Sequence, residues 1–117
     1  MSIIHFFKSN PTTGLIFPDY PKSIHPFIGW GGTRAIVDKL LRPFGCDTSS
    51  IDLLEFAAGG FFWARTDALH IIHSLGLSYD NIPDEPIAKD DTILHAIERM
   101  TCISTEMMGY EWKKLSL

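Results

Sequence analysis

Between residues 18 and 32 the chain carries Pro18, Pro21, Pro26, Gly29, Gly31 and Gly32. A proline fixes φ and removes a backbone donor, and glycine weakens any regular element, so no helix or strand can run through this stretch. It is expected to be an ordered loop, with only short elements on either side. Before it, residues 1 to 8 are apolar enough for a short helix or strand. Asn10-Pro11-Thr12-Thr13-Gly14 marks a turn, and Leu15-Ile16-Phe17 reads as a short buried strand ended by Pro18. After it, Thr33 caps a predicted helix to about Leu41, with Ile36, Val37, Leu40 and Leu41 on one stripe. Pro43 and Gly45 close that helix.

The next segments alternate. Residues 53–58 and 61–64 read as strands, with Gly59-Gly60 between them suited to a bulge or a close backbone approach. Thr66 or Asp67 caps a short helix carrying Leu69, Ile72 and Leu75, and Gly76 stands where a left-handed C-terminal residue is expected. Residues 78–91 are loop-like. Asp91 or Asp90 caps a helix from Thr92 to about Thr101, and residues 103–112 are read as a last strand interrupted at Gly109. The expectation is a single α/β domain over residues 1–117, a short mixed sheet of three to five strands with about three helices. The 117 residues allow one small domain, and a 45% hydrophobic content with eight Phe and three Trp can fill its core.

Charge and cysteine content narrow the function. Ten basic against fourteen acidic residues give a net charge of −4, without the basic footprint of a nucleic-acid binder. The longest apolar runs fall well short of the ~20 residues of a membrane span. Residues 1–8 have neither a basic start nor a cleavage site, so they do not read as a signal peptide. Cys46 and Cys102 cannot build a disulfide framework or a four-ligand zinc site. Neither has a base nearby in sequence to make it a nucleophile.

The strongest chemical feature is the helix from Thr92. At about 100° per residue, Ile93, Ile97 and Met100 share one side, with Leu94 at their border. Asp91, His95, Glu98 and Arg99 share the other. A carboxylate at the start of a helix is stabilised in its charged form and can act as a general base or accept a hydrogen bond from a sugar hydroxyl. The alternative is a solvated amphipathic helix with an N-cap. The second feature is Phe56 to Arg65. Gly59 and Gly60 allow a ligand near the backbone, Trp63 could stack on a ring, and Arg65 could hold an anion bidentately. The alternative is a core strand pair with a glycine bulge and a snorkelling arginine. No Gly-Lys-Ser/Thr follows Gly60, so this is not a phosphate loop.

Three further features are weaker. Five carboxylates in residues 80–91 could offer oxygen ligands, yet they lack Asp-x-Asp or EF-hand spacing, and a solvated loop is favoured. His70 and His73 lack a third ligand. The Trp30-Gly31-Gly32-Thr33 turn could receive an anion at a helix start, or could simply be a cap behind a packed Trp.

Taken together, the Ala58–Leu69 stretch (Gly-Gly-Phe-Phe-Trp-Ala-Arg at its centre), Leu75-Gly76-Leu77 and the Asp90–Arg99 stretch resemble the rhamnan synthesis protein F family. These are bacterial glycosyltransferases of cell-wall rhamnan and O-antigen assembly. That family carries Pro-Ala-Gly-Ser-Met-Phe-Trp-x-Arg and, later, Asp-Gly-Thr-Leu-Ala-His-Ala-Ile-Glu-Arg. The segment Asn10 to Pro18 resembles the strand before this region, so the resemblance covers residues 5–110. Gly59, Trp63 and Arg65 fall on the first motif, and Thr92, His95, Glu98 and Arg99 on the second. Gly60 and Phe61 replace Ser-Met. Matching Thr92 puts Asp90 on the family's acid and Asp91 on its glycine, so both are carried as candidates.

The resemblance implies a GT-A-like, Rossmann-related domain that transfers a sugar from a nucleotide sugar to a glycan acceptor. The complete enzyme would be helped by a divalent cation such as Mn or Mg. The two cysteines suit a reducing cytoplasm, so a cytoplasmic location is expected, at most peripheral to the inner membrane. This chain has no Asp-x-Asp and corresponds to the family's C-terminal, acceptor-side half. Within it, Asp90 or Asp91 is the expected base, with His95 beside it. Gly59, Gly60, Trp63, Arg65, Thr92, Glu98 and Arg99 are expected to contact substrate, and no metal ligand is assigned. The alternative is a non-catalytic module that binds carbohydrate, a donor-half partner chain or a second copy of itself. A small hydrolase using Asp90, Asp91 and His95 is a third reading, without a placed nucleophile.

Overall fold

The computed structural model describes residues 2–77 and 92–116. Its centre is β1, Thr13–Pro18, which pairs antiparallel with β2, Trp63–Ala64, and parallel with β3, Glu111–Leu115. The sheet order is β2-β1-β3. Residues 13–17 are buried throughout, as an apolar run in a central strand requires. Gly14 has no room for a side chain: a Cβ there would lie 2.6 Å from the Cβ of Tyr110 and 2.9 Å from that of Ala68.

Five α-helices surround the sheet among the described residues, against three expected. The first residues resolve as α1, Ile3–Ser9, whose N-cap Ser2 accepts from the His5 amide at 3.1 Å. The Pro/Gly stretch is loop with one 3-10 turn, Lys22–Phe27. The predicted helix after Thr33 is α2, Arg34–Leu41, closed by a 3-10 turn at Arg42–Phe44 and by Gly45 at φ +73°. The short helix after Arg65 begins as a 3-10 turn, Thr66–Leu69, and continues as α3, His70–His73. Its N-cap is Arg65 rather than Thr66 or Asp67. Gly76 is left-handed, as expected.

Four further expectations are corrected. Residues 53–58 are not a strand: the segment is irregular and leads into a 3-10 turn at Ala58–Gly60. Its backbone is satisfied by side chains instead of a ladder. Phe56 N–H donates to the Tyr20 hydroxyl at 3.1 Å, Ala57 N–H to Thr101 Oγ1 at 2.9 Å and Gly59 N–H to Glu98 Oε2 at 2.7 Å. The strand expected over 61–64 shrinks to Trp63–Ala64.

The expected strand over 103–112 is mostly helix. α4, Ile93–Arg99, and α5, Thr101–Met107, meet at Met100, and β3 starts only after Gly109 at φ +83°. The small polar residues that weaken a helical reading are absorbed inside α5. Thr105 donates back to Thr101 O at 2.9 Å and Ser104 to Ala68 O at 2.8 Å. Finally, the cap of α4 is Thr92 and not an aspartate. Asp90, Asp91 and the rest of the acidic stretch lie outside the described residues.

The main core joins Val37 and Leu41 of α2, Leu54, Phe56, Ile71 of α3, Ala96, Met100 and Ile103. A second cluster, Leu15, Phe17, Ala57 and Cys102, packs α5 on the sheet. Phe56 and Ala57 are consecutive but face different clusters, so the 53–58 segment is the seam between helices and sheet.

Candidate functional site

α4 is shaped by its own sequence. Thr92 Oγ1 accepts from the His95 amide at 3.4 Å and lies 2.6 Å from His95 Nδ1. The cap therefore also anchors the imidazole and leaves Nε2 as the nitrogen that faces away from it. Ala96 and Met100 enter the core, and the opposite face presents His95, Glu98 and Arg99. That face keeps His95 and Glu98 partly exposed, while Arg99 is buried. The face forms one wall of a cleft of about 610 Å³. The second wall is Ile24 to Gly31 of the Pro/Gly loop, and the floor is Phe56, Ala58 and Gly59.

Arg99 explains how the walls stay together. Its residue is only 6% exposed, and a buried guanidinium must be matched by acceptors. Nε donates to Gly29 O at 3.0 Å. Nη1 donates to His95 O at 3.2 Å and lies 3.4 Å from Glu98 Oε1. The guanidinium carbon stands 5.0 Å from the centre of the Phe56 ring, a cation–π contact. Glu98 completes the clamp by accepting the Gly59 amide. Gly59 and Gly60 both have positive φ, +79° and +70°, and a Cβ at either would meet nothing, so glycine is required there by conformation alone.

Tyr20 holds the floor from behind. Its hydroxyl accepts from Phe56 N–H, and its proton faces Glu55 Oε2 at 2.6 Å and Phe56 O at 2.8 Å. Lys114 Nζ donates to both Glu55 oxygens, at 3.2 and 3.3 Å, and lies over the Tyr20 ring. Burial, and then the bonded Glu55 carboxylate, push the Tyr20 phenol well above its usual value.

The structure thus gathers Gly59, His95, Glu98 and Arg99, with Thr92 behind His95. Gly60, Trp63 and Arg65 do not line this cleft. Arg65 instead ties α1 to the sheet: Nε donates to Thr13 O at 2.8 Å and Nη2 to Asn10 O at 3.2 Å and to Phe7 O, over the Phe7 ring. Trp63 is on the open edge of the sheet, against Phe61. The Thr33 hydroxyl donates to Trp30 O, so Thr33 stands buried at the N-cap position of α2 without a side-chain cap bond. His70 and His73 are exposed on α3. Among the described residues no three His, Cys, Asp or Glu side chains converge as a metal-ligand set. Cys102 is buried, which pushes its thiol upward, away from nucleophilic use.

Ile24, Pro26, Ile28 and Gly29 are not among the sequence-predicted site residues, and Phe56 lines the cleft at the start of the Phe56–Arg65 stretch.

Comparison with known proteins adds a family. The family model described as rhamnan synthesis protein F matches residues 1–107. Two curated proteins, from two strains of Xanthomonas campestris pv. campestris and both named "Uncharacterized protein WxcX", are 32% identical over 110 residues. The alignment covers 93% of this chain and 15% of each relative, so the chain spans about 15% of their length. No solved structure matches.

Proposed function

Because this chain belongs to the rhamnan synthesis protein F family, and so to polysaccharide biosynthesis, we propose that it is the acceptor-side part of a GT-A-like glycosyltransferase. A growing cell-surface glycan receives a sugar from a nucleotide donor held elsewhere. The observation that carries this reading is the cleft, which brings Gly59, His95, Glu98 and Arg99 of two distant motifs to one place. Its walls are largely apolar, and its guanidinium is committed to Gly29, His95 and Glu98. Such a lining suits a neutral sugar ring better than a diphosphate.

In this reading His95 Nε2 contacts the hydroxyl that attacks. Asp90 or Asp91, the carboxylates that precede Thr92 in sequence, take its proton as the new glycosidic bond forms and the nucleotide diphosphate leaves. Arg99 braces the site. Trp63 and Gly60 serve the acceptor outside the cleft, and Arg65 supports the fold.

The test is transfer by a full-length family protein carrying Asp90→Asn with Asp91→Asn, and separately His95→Ala. Loss of a general base lowers turnover by about 10²–10⁴. Unchanged transfer in the folded double variant would remove the acid role.

The committed Arg99 also favours a second reading, a carbohydrate-binding module without catalysis of its own. Transfer by the full-length protein separates the two: a loss on Asp90→Asn with Asp91→Asn at unchanged glycan affinity supports the enzyme part, and unchanged transfer supports the module, while calorimetry of the 117-residue chain with a nucleotide sugar and Mn tests a premise they share. Donor binding by this chain would argue against both the module and the acceptor-only assignment.

A further inference from the structure

The 59–64 segment leaves the cleft and ends on an uncovered aromatic pair. Gly59 lines the cleft, and Trp63 is four residues further on, within about 14 Å of chain. Strand alternation turns Phe62 inward, against the cluster of Leu15, Phe17, Ala57 and Cys102. Phe61 and Trp63 face outward together. They are 60% and 38% exposed. Their rings meet edge to face, 5.2 Å between centres and 74° between planes, which holds each against the other. Trp63 is also pinned through its backbone opposite Ile16 of β1.

Resting on the acceptor-side reading, we propose that Phe61 and Trp63 form a second glycan subsite, which stacks the next neutral sugar ring of the acceptor whose end lies in the cleft. No charged residue occurs between Gly59 and Ala64, so the platform offers ring faces and no ion pair. Its size argues against a protein occupant. Fully covered Phe and Trp bury 150–250 Å² each, so the uncovered part is roughly 200 Å². A stable protein interface needs about 800 Å² per partner. The open edge of β2 is two residues long, too short to accept an added strand. The two left-handed glycines lie between the cleft and the platform in sequence, which keeps them within reach of one oligosaccharide.

The test uses the 117-residue chain, its Phe61→Ala and Trp63→Ala variants, and rhamnose oligosaccharides of one, two and three units, followed by NMR. The monosaccharide should shift the His95 ring signals in all three proteins with equal affinity. Longer oligosaccharides should bind the unaltered chain about three- to tenfold more tightly and shift the Trp63 indole N–H. Both variants should lose that gain while His95 still responds. If His95 responds but length brings no gain, or the gain survives in both variants, the second subsite is wrong and the cleft reading stands. If no sugar moves His95, the cleft reading fails and the subsite with it. Self-association that Phe61→Ala abolishes would assign the pair to a second copy of the chain and overturn the proposal.

Discussion

Glu98 accepts a hydrogen bond from the backbone amide of Gly59 at 2.7 Å, across 39 positions of sequence. One carboxylate thereby joins the two motifs that make the cleft. Glu98→Ala removes the side-chain partner of that amide and one acceptor of Arg99 Nη1, which keeps His95 O, and a stability loss of about 1–3 kcal/mol is expected. Glu98→Gln keeps an acceptor oxygen and should lose less. Urea unfolding of the two variants checks the order.

Arg99 is a brace, which leads to a different expectation from a substrate-binding arginine. Arg99→Lys cannot reproduce the planar fork that reaches Gly29 O and His95 O together. We expect it to destabilise the fold by about 1–3 kcal/mol, nearly as much as Arg99→Met. A surface arginine that only met phosphate would leave the unfolding midpoint unchanged on the same substitution.

Thr92 has two tasks, the cap of α4 and the hydrogen bond to His95 Nδ1. Thr92→Val removes both and should cost about 1 kcal/mol. Thr92→Ser should restore stability and imidazole geometry alike. Nitrogen-15 shifts of the His95 ring report the second task separately: they should change in the valine variant and return in the serine variant.

Tyr20 links stability to alkaline pH. Its phenol is raised in the folded chain, so the folded state holds that proton more tightly than the unfolded one. The contribution is complete below the ordinary phenol value of about 10 and falls as pH rises beyond it. Cys102, also raised by burial, acts in the same direction from somewhat lower pH. Tyr20→Phe should lower stability at neutral pH, through the unpaired Phe56 amide, and flatten the alkaline decline. Denaturant midpoints measured from pH 8 to 11 test both.

Much of this was legible without coordinates. The prolines and glycines of 18–32 allow no more than a 3-10 turn because of their own backbones, the apolar run at 15–17 demands a buried strand, and the spacing of His95, Glu98 and Arg99 puts them on one helical face. These are local properties, set within a few residues. The motifs around Gly59 and Thr92 likewise carry the family in their residue order.

What only the tertiary structure decided is which distant group meets each local feature. Residues 53–58 have the composition of a strand, yet Tyr20 and Thr101 take the amides of Phe56 and Ala57, Glu98 takes that of Gly59 just beyond, and no ladder forms. Residues 103–107 are helical because Ser104 finds Ala68 O and the small hydroxyls bond inside the helix. Arg65 and Arg99 are alike in sequence as motif arginines. One seals α1 to the sheet and the other holds a cleft, because a buried guanidinium is assigned by the carbonyls that surround it, and those come from residues up to 70 positions away.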